Sequence, residues 1–100
     1  MKTNLLQAIQ TNQPIILNVA NQVTPQRVAD AINYLGASPM MVADPLEAAD
    51  LTNLATAVVL NLGSTNPQSQ AMMLNAGKTA NELNRPVIFD PVAVGATSLR

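Results

Sequence analysis

Asp90 is the residue of this sequence whose type and position are best suited to chemistry. It ends the short apolar run over residues 86–90 and is followed at once by Pro91. A run rich in valine, isoleucine and phenylalanine is typical of a parallel strand that is buried on both faces, and proline cannot extend its hydrogen bonds. Ligands of open α/β sheets bind beyond the carboxyl ends of the strands, where Asp90 and the turn at 95–97 are expected to lie. Asp90 could bind a ligand at this edge, or it could only cap the turn that follows.

The composition narrows the chemistry that is available. The 100 residues contain no cysteine and no histidine. Their absence excludes disulfides, thiol nucleophiles, Ser-His triads and ordinary zinc sites from this sequence. Chemistry in this sequence would depend on carboxylates, amides, hydroxyls and backbone groups.

Charge and hydropathy indicate the class of protein. Five basic and six acidic residues give a formal net charge of −1, and only Tyr34 and Phe89 are aromatic, so no basic, base-stacking surface for nucleic acid is expected. Hydrophobic residues make up 48% of the sequence, which suits the aliphatic core of one small domain. No run approaches the roughly 18 apolar residues of a membrane helix, and the N-terminus lacks a signal-peptide core. We expect residues 1–100 to form a single α/β segment of a soluble, cytoplasmic protein.

Four short apolar runs alternate with helix signals along the chain. The runs predict strands over residues 14–19, 39–43, 57–62 and 86–90. Leu5, Leu6 and Ile9 have helical spacing and predict a short opening helix. An alternation of strands and helices is typical of successive βα units. It predicts a parallel sheet with helices on both faces, joined by right-handed crossovers.

The three helices between the predicted strands each begin with a capping residue followed by proline. These pairs are Thr24-Pro25, Asp44-Pro45 and Asn66-Pro67. Proline is favoured at the first position of a helix, where its missing N–H group costs nothing. Asp44 and Glu47 have the spacing of a capping box, in which each side chain satisfies a backbone donor near the other residue.

Two of these helices carry an apolar stripe that predicts a buried face. The stripe of the helix after Thr24 ends at a glycine cap and comprises Val28, Ala31, Ile32, Leu35 and then Gly36. The stripe of the helix after Asn66 consists mainly of small residues, namely Met73, Ala76, Gly77, Ala80 and Leu83. Small side chains predict that this last helix lies close against the sheet.

The carboxyl ends of the four strands should share one edge of the sheet. Residues 21–22, 41–44, 61–65 and 90–97 are expected there. They offer amides, hydroxyls, one strand-end carboxylate and the thioether of Met41, which could form a flexible apolar wall. The sequence contains neither a Walker A motif nor GxGxxG, so a small-molecule site at this edge is the better interpretation.

Five motifs follow one another along the chain, namely Asn21-Gln22-Val23-Thr24, residues 35–41, residues 59–64, residues 76–83 and Asp90-Pro91-Val92. Together they resemble the N-terminal part of hydroxyethylthiazole kinase. They occur in order at fitting distances, and the resemblance runs nearly the whole length of the chain without a gap. Five ordered motifs are far more specific than any one of them.

The resemblance implies a ribokinase-like, three-layer αβα fold and a homotrimer when the protein is full length. It implies transfer of the γ-phosphate of ATP to the hydroxyl of 4-methyl-5-(2-hydroxyethyl)thiazole in thiamine salvage. Residue by residue, it implies that Met41 contacts the thiazole, that Asn21, Val23 and Gly63 belong to the substrate pocket, and that Asp90 lies near Mg²⁺ and the triphosphate.

The resemblance also implies that this chain is only a part of the kinase domain. Members of the family are more than twice its length, and their glycine-rich anion hole, most of their ATP site and a cysteine proposed as catalytic base have no counterpart here. No catalytic residue is therefore expected in this segment, and we expect the segment to be inactive alone.

Two departures from the family pattern affect the predicted site. Residues 17–21 read Leu-Asn-Val-Ala-Asn where the family commonly has His-Cys-Ile-Thr-Asn, and Ala93 replaces the first glycine after Asp-Pro-Val. The change at Ala93 restricts a backbone that approaches phosphate in the family.

Two alternative functions remain open at this point. Another ribokinase-like small-molecule kinase or nucleotide-hydrate dehydratase would share the aspartate but not the run at 37–41, and a non-catalytic binding module is favoured by Ala20 and Ala93.

Overall fold

The computed structural model describes residues 4–19 and 25–99. The helices are α1 (Leu5–Asn12), α2 (Pro25–Tyr34), α3 (Ala48–Leu54) and α4 (Pro67–Glu82), and a 3₁₀ turn at Pro45–Glu47 precedes α3. The strands are β1 (Ile15–Val19), β2 (Ser38–Met41), β3 (Ala57–Asn61) and β4 (Val87–Asp90). The four predicted strands are thus confirmed, with bounds that differ by at most two residues.

The strands form one parallel sheet in the order β2-β1-β3-β4. β1 pairs with both β2 and β3, and β4 pairs with β3 alone. The register places Asn18 beside Met41 on one side and beside Val59 on the other. This topology confirms the predicted α/β class and brings the carboxyl ends of the strands to one edge.

The core lies between one face of the sheet and the helices α3 and α4. These two helices pack against each other, and both contact β1. The buried residues of this core are Leu17, Val19, Ala48, Ala55, Val58, Leu60, Met72, Met73, Ala76 and Ala80. A side chain at Gly77 would lie 3.5 Å from Leu60 Cδ1, so α4 approaches β3 closely, as its small residues predict.

α2 packs on β2, and right-handed crossovers place it on the sheet face opposite α3 and α4. The predicted apolar stripe of α2 is less buried than expected. None of its ten described residues is fully buried, and both Ala31 and the following Leu35 are exposed. The reason is that α2 covers the edge strand β2, and no other element in the described part of the chain makes an extensive contact with it.

The glycine cap predicted at the end of α2 is confirmed. Gly36 has a φ of +95°, in the left-handed region that glycine adopts without strain. The N–H of Ala37 donates to the carbonyl of Ile32 at 3.1 Å, which closes the helix as a C-terminal cap. A Cβ at Gly36 would lie 2.8 Å from Gln10 Cγ and 3.0 Å from Gln10 Cα, so the turn also needs glycine for its approach to α1. The cap predicted at Thr24 lies outside the described residues.

The capping box predicted for Asp44 and Glu47 is wrong. Asp44 Oδ1 accepts a hydrogen bond from the N–H of Leu46 at 2.9 Å, because the chain first makes a tight 3₁₀ turn and α3 begins only at Ala48. The reciprocal pair of bonds occurs at α4 instead. The N–H of Ser69 donates to Asn66 Oδ1 at 2.8 Å, and the N–H of Asn66 donates to Ser69 Oγ at 2.9 Å.

The prediction that β4 is buried on both faces is also wrong. All four of its residues are exposed, with Ile88 at 63% and Phe89 at 54%. β4 lies at the edge of the sheet, and the only described helix that packs on it is α4.

Among residues 4–19 and 25–99, no helix combines the length and hydrophobicity that crossing a bilayer requires.

Candidate functional site

A cavity of about 420 Å³ lies at the carboxyl edge of β1 and β2, next to the start of α4. Its walls come from two strands, from the segments that follow β2 and β3, and from the first turns of α2 and α4. The lining residues are Asn18, Pro25, Met41, Val42, Ala43, Ser64, Asn66, Gln68, Ser69 and Met72. None of these lining residues is charged, so the cavity suits a neutral ligand with an apolar body and a few polar atoms.

The wall that follows Met41 is held in place by α4. Gln68 Nε2 donates to the carbonyl of Ala43 at 2.7 Å, and Asn75 Nδ2 donates to the carbonyl of Pro45 at 3.2 Å. Gln68 and Asn75 are seven residues apart and therefore lie on the same side of the helix. They bind the segment after β2 to α4 and so fix one side of the cavity.

The start of α4 satisfies most of its own backbone donors. Pro67 has no N–H, and the N–H of Ser69 is taken by Asn66 Oδ1. Ser69 Oγ also lies 3.2 Å from Thr65 Oγ1. Free N–H groups at a helix start are what make such a start attractive to phosphate. This helix start therefore offers hydroxyls and amides to the cavity rather than a ready anion site.

One of the predicted substrate-pocket residues lines this cavity, and a second lies next to a lining residue. Met41 lines it directly, half-buried at the end of β2. Gly63 is buried beside the lining residue Ser64, and its N–H donates to Asn61 Oδ1 at 2.7 Å. Ser64, with a φ of +50°, is the left-handed residue of this turn. Asn21 and Val23, predicted to share the pocket, lie outside the described residues.

Asp90 lies at the same edge of the sheet but outside the cavity. It pairs in register with Asn61, three strands away from Met41, so roughly 15 Å separates the two residues at ordinary strand spacing. Its backbone carbonyl accepts hydrogen bonds from Leu62 N at 3.1 Å and Val92 N at 2.9 Å. The prediction that Asp90 ends a strand at the carboxyl edge is confirmed, and its side chain is exposed.

Two consecutive turns follow Asp90. Val94 N donates to the carbonyl of Pro91, and Ala96 N donates to that of Ala93, both at 3.0 Å. Ala93 has a φ of +59° and Gly95 a φ of +83°. The left-handed conformation is strained for alanine and not for glycine. The sequence departure at Ala93 thus falls on a position where glycine would be the less strained residue.

Sequence reasoning missed Asn18 and the polar first turn of α4 as parts of the site. Asn18 is the only polar residue of β1, and its side chain is 3% exposed. A polar residue inside an aliphatic strand is the signal that could have identified it. The sequence predicts only that Asn66, Gln68 and Ser69 belong to the start of a helix, and their proximity to β2 depends on how α4 packs.

Comparisons with known proteins agree with this fold. Residues 6–100 match the model of the "Hydroxyethylthiazole kinase family". A protein named hydroxyethylthiazole kinase from Lactococcus lactis subsp. lactis (strain IL1403) is 47% identical over 91 residues, which are 91% of this chain and 36% of that protein. A protein of the same name from Lactiplantibacillus plantarum is 44% identical over 100 residues, which are 100% of this chain and 38% of the relative.

A solved structure shows the same likeness in three dimensions. It is described as the structure of hydroxyethylthiazole kinase protein from Pyrococcus horikoshii OT3, and it superposes with a TM-score of 0.90 at 36% identity, covering 94% of this chain and 37% of that one. The chain therefore spans only between 36% and 38% of the length of these relatives. The resemblance found in the sequence is confirmed, and the match over residues 6–100 shows that this chain belongs to the hydroxyethylthiazole kinase family.

Proposed function

We propose that this chain is part of an enzyme that transfers the γ-phosphate of ATP to the hydroxyl of 4-methyl-5-(2-hydroxyethyl)thiazole in thiamine salvage. The observation that supports it most is an uncharged cavity beside Met41 in a chain that belongs to the hydroxyethylthiazole kinase family. In this proposal the cavity holds the alcohol, and Met41, Asn21, Val23 and Gly63 belong to its binding pocket.

The chemistry of the cavity is compatible with a thiazole alcohol. Met41 and Met72 supply thioethers, and sulfur packs favourably against the edge of an aromatic ring. Ser64 and Ser69 add hydroxyls and Asn66 adds an amide, and such groups can pair with a ring nitrogen or an alcohol. A charged substrate would find no side-chain counter-ion among the lining residues, which favours the neutral alcohol over a phosphorylated sugar.

The phosphoryl side of the reaction would lie nearer to Asp90. Mg²⁺ is usually held by one or two carboxylates, with phosphates and water as its remaining ligands. Residues 4–19 and 25–99 contain no group of three acidic side chains, histidines or cysteines that could hold a metal unaided. A single exposed carboxylate fits a metal that is held mainly by the nucleotide, so Asp90 would hold Mg²⁺. When bound, the metal would neutralise charge on the triphosphate of ATP.

Transfer between these two regions requires the alcohol and the nucleotide to be aligned. The cavity would hold the ring, so that the hydroxyl is positioned for in-line attack on the γ-phosphate. The homotrimer that the resemblance implies and the cytoplasmic location expected from the sequence belong to this proposal as well. They concern the whole protein, because nearly two thirds of the length of each relative lies outside the matched region.

The proposal is tested with the polypeptide as its gene encodes it. The purified protein is incubated with Mg²⁺, ATP and the thiazole alcohol, and the phosphate ester is measured by mass spectrometry. Hydroxymethylpyrimidine and a neutral sugar such as ribose serve as competing substrates in parallel reactions. We expect the highest kcat/KM for the thiazole alcohol. Preferential phosphorylation of the pyrimidine or the sugar would contradict the proposal, and so would no turnover of any of the three.

A further inference from the structure

Asn18 is an unexpected residue for its place in the fold. It lies in β1, whose other residues are all aliphatic, and its side chain is 3% exposed. Burying an amide costs stability unless hydrogen bonds compensate for the lost water. An aliphatic residue would avoid this cost at the same position, so the amide needs a specific explanation.

The partner of the Asn18 amide is a residue of the candidate pocket. Nδ2 donates to Met41 Sδ at 3.7 Å, across the β1–β2 pair in which the two residues are in register. Methionine has three rotatable side-chain bonds and ordinarily adopts several conformations. A thioether is only a weak acceptor. A weak bond gives little stability, but it can select one orientation of an otherwise flexible side chain.

Both side chains also line the cavity. The orientation of the Met41 thioether therefore decides the shape of the wall that a ligand meets. Met41 cannot be held in this way by the aliphatic neighbours of Asn18 in β1, because they carry no donor.

We propose that Asn18 is a positioning residue that acts through Met41, holding its thioether in the orientation that receives the aromatic ring of the alcohol. The proposal deepens, and rests on, the proposed function of the cavity. Asn18 itself need not touch the ligand, and its effect should disappear when the sulfur of Met41 is removed.

A double-mutant cycle on the polypeptide as encoded by its gene tests this coupling. Asn18→Leu removes the donor and keeps the number and branching of the side-chain heavy atoms, and Met41→Leu removes the sulfur. We expect Asn18→Leu to raise KM for the thiazole alcohol about threefold, towards the lower end of what one hydrogen bond contributes, and to leave kcat and KM for ATP nearly unchanged. The double variant should match Met41→Leu alone, since the two residues act as one unit. Asn33→Leu, at an exposed position of α2, is the matched control.

Two kinetic results would overturn the proposal. One is additive effects of the two substitutions, which would mean that Asn18 acts independently of Met41. The other is an unchanged KM in Asn18→Leu. If Asn18→Leu does not fold, as judged by circular dichroism, Asn18→Ala takes its place in the same cycle.

A second readout does not need turnover, and so separates this proposal from the proposed function. The protein is labelled with ¹³C at the methionine methyl groups, and the Met41 resonance is assigned by its loss in Met41→Leu. In Asn18→Leu the Met41 methyl shift should move towards the average of freely rotating methionines, while the other methyl shifts stay in place. An unmoved Met41 resonance would overturn the positioning role even if the enzyme is active. A moved resonance in a protein that does not phosphorylate the alcohol would support the positioning role and contradict only the proposed substrate.

Discussion

Met41 offers the clearest test of the pocket at the scale of a single residue. It is half-buried at the end of β2 and lines the uncharged cavity. In the proposed function, Met41→Ala removes apolar contact with the ring that would be made equally in the ground state and the transition state. We therefore expect KM for the thiazole alcohol to rise about tenfold while kcat changes little. Steady-state kinetics at saturating ATP would measure this, with Leu74→Ala, at a position 74% exposed on α4, as the control. A fall in kcat at constant KM would contradict a pocket role.

Asp90 should give the opposite kinetic result. Its carboxylate lies roughly three strand spacings from Met41, near the place proposed for Mg²⁺ and the triphosphate. Asp90→Asn keeps the shape of the side chain and removes its charge, so kcat should fall at least about tenfold and the Mg²⁺ concentration for half-maximal activity should rise. KM for the alcohol should stay nearly constant. Turnover within about twofold of the parent, a barrier change of only ~0.4 kcal/mol, would mean that Asp90 is a structural cap.

Ala93 permits a test that does not depend on activity. Its φ of +59° is strained for alanine by about 1–2 kcal/mol, whereas glycine tolerates it at an entropic cost of about 0.5–1 kcal/mol. We therefore expect Ala93→Gly to raise the free energy of unfolding by about 0.5–1 kcal/mol. Urea denaturation would measure the change. Ala96→Gly, at a position outside the left-handed region, should instead be neutral or destabilising, and a loss of stability in both variants would show that strain at Ala93 is unimportant.

Predictability from sequence differed between residues for a physical reason. The position of Asp90 at the end of a strand could be predicted because Pro91 terminates the ladder locally. Asn18 stands out as the polar residue of an aliphatic strand, but its contact with Met41 could not be predicted, since the two residues are 23 positions apart in the chain. That contact depends on the register of β1 against β2, which no local pattern specifies.

Helix starts illustrate the same limit at the scale of an element. Asp44-Pro45 and Asn66-Pro67 look alike in sequence, and a capping box was predicted for the first because Glu47 follows at the favoured spacing. The box occurs at the second, where Ser69 takes the place of the glutamate. Asp44 is diverted by a 3₁₀ turn, in which the N–H of Leu46 is the donor within its reach. The existence of a helix start was predictable at both places, but its bonding geometry was not.

The two caps should therefore differ in energetic weight. Asn66 accepts from the N–H of Ser69 at the start of the sixteen-residue helix α4, which supplies much of the core. We expect Asn66→Ala to lower the free energy of unfolding by about 1–2 kcal/mol, and Asp44→Ala by about 0.5 kcal/mol. Urea denaturation of both variants beside the parent checks the order. Equal losses at the two positions would contradict the structural distinction between box and single cap.

At the scale of the whole molecule, the surface of β4 needs an explanation. The composition of residues 87–89 is typical of a central strand, yet Ile88 and Phe89 are largely exposed on opposite faces of an edge strand. The presence of a strand here could be predicted from the sequence. Its burial could not, because burial depends on which elements lie beside and above the strand. Exposed apolar side chains next to an unpaired strand edge favour association with other chains.

Residues 1–100 produced alone provide a test of kinase activity and of the exposed surface of β4. The polypeptide spans only 36% to 38% of the length of its relatives and contains neither cysteine nor histidine to serve as a base. We expect it to show no conversion of the thiazole alcohol to its phosphate by mass spectrometry, even with Mg²⁺ and ATP in excess. Measurable kinase activity of this polypeptide would refute the view that it supplies only the alcohol pocket and one metal-side carboxylate.

The exposed surface of β4 predicts that the same polypeptide associates with itself. Sedimentation velocity should show association that increases with concentration. Ile88→Thr should weaken this association, because Ile88 is 63% exposed on the uncovered strand, whereas Leu46→Thr, at a position 87% exposed away from β4, should not. If the polypeptide that keeps Ile88 is strictly monomeric, β4 has no role in association.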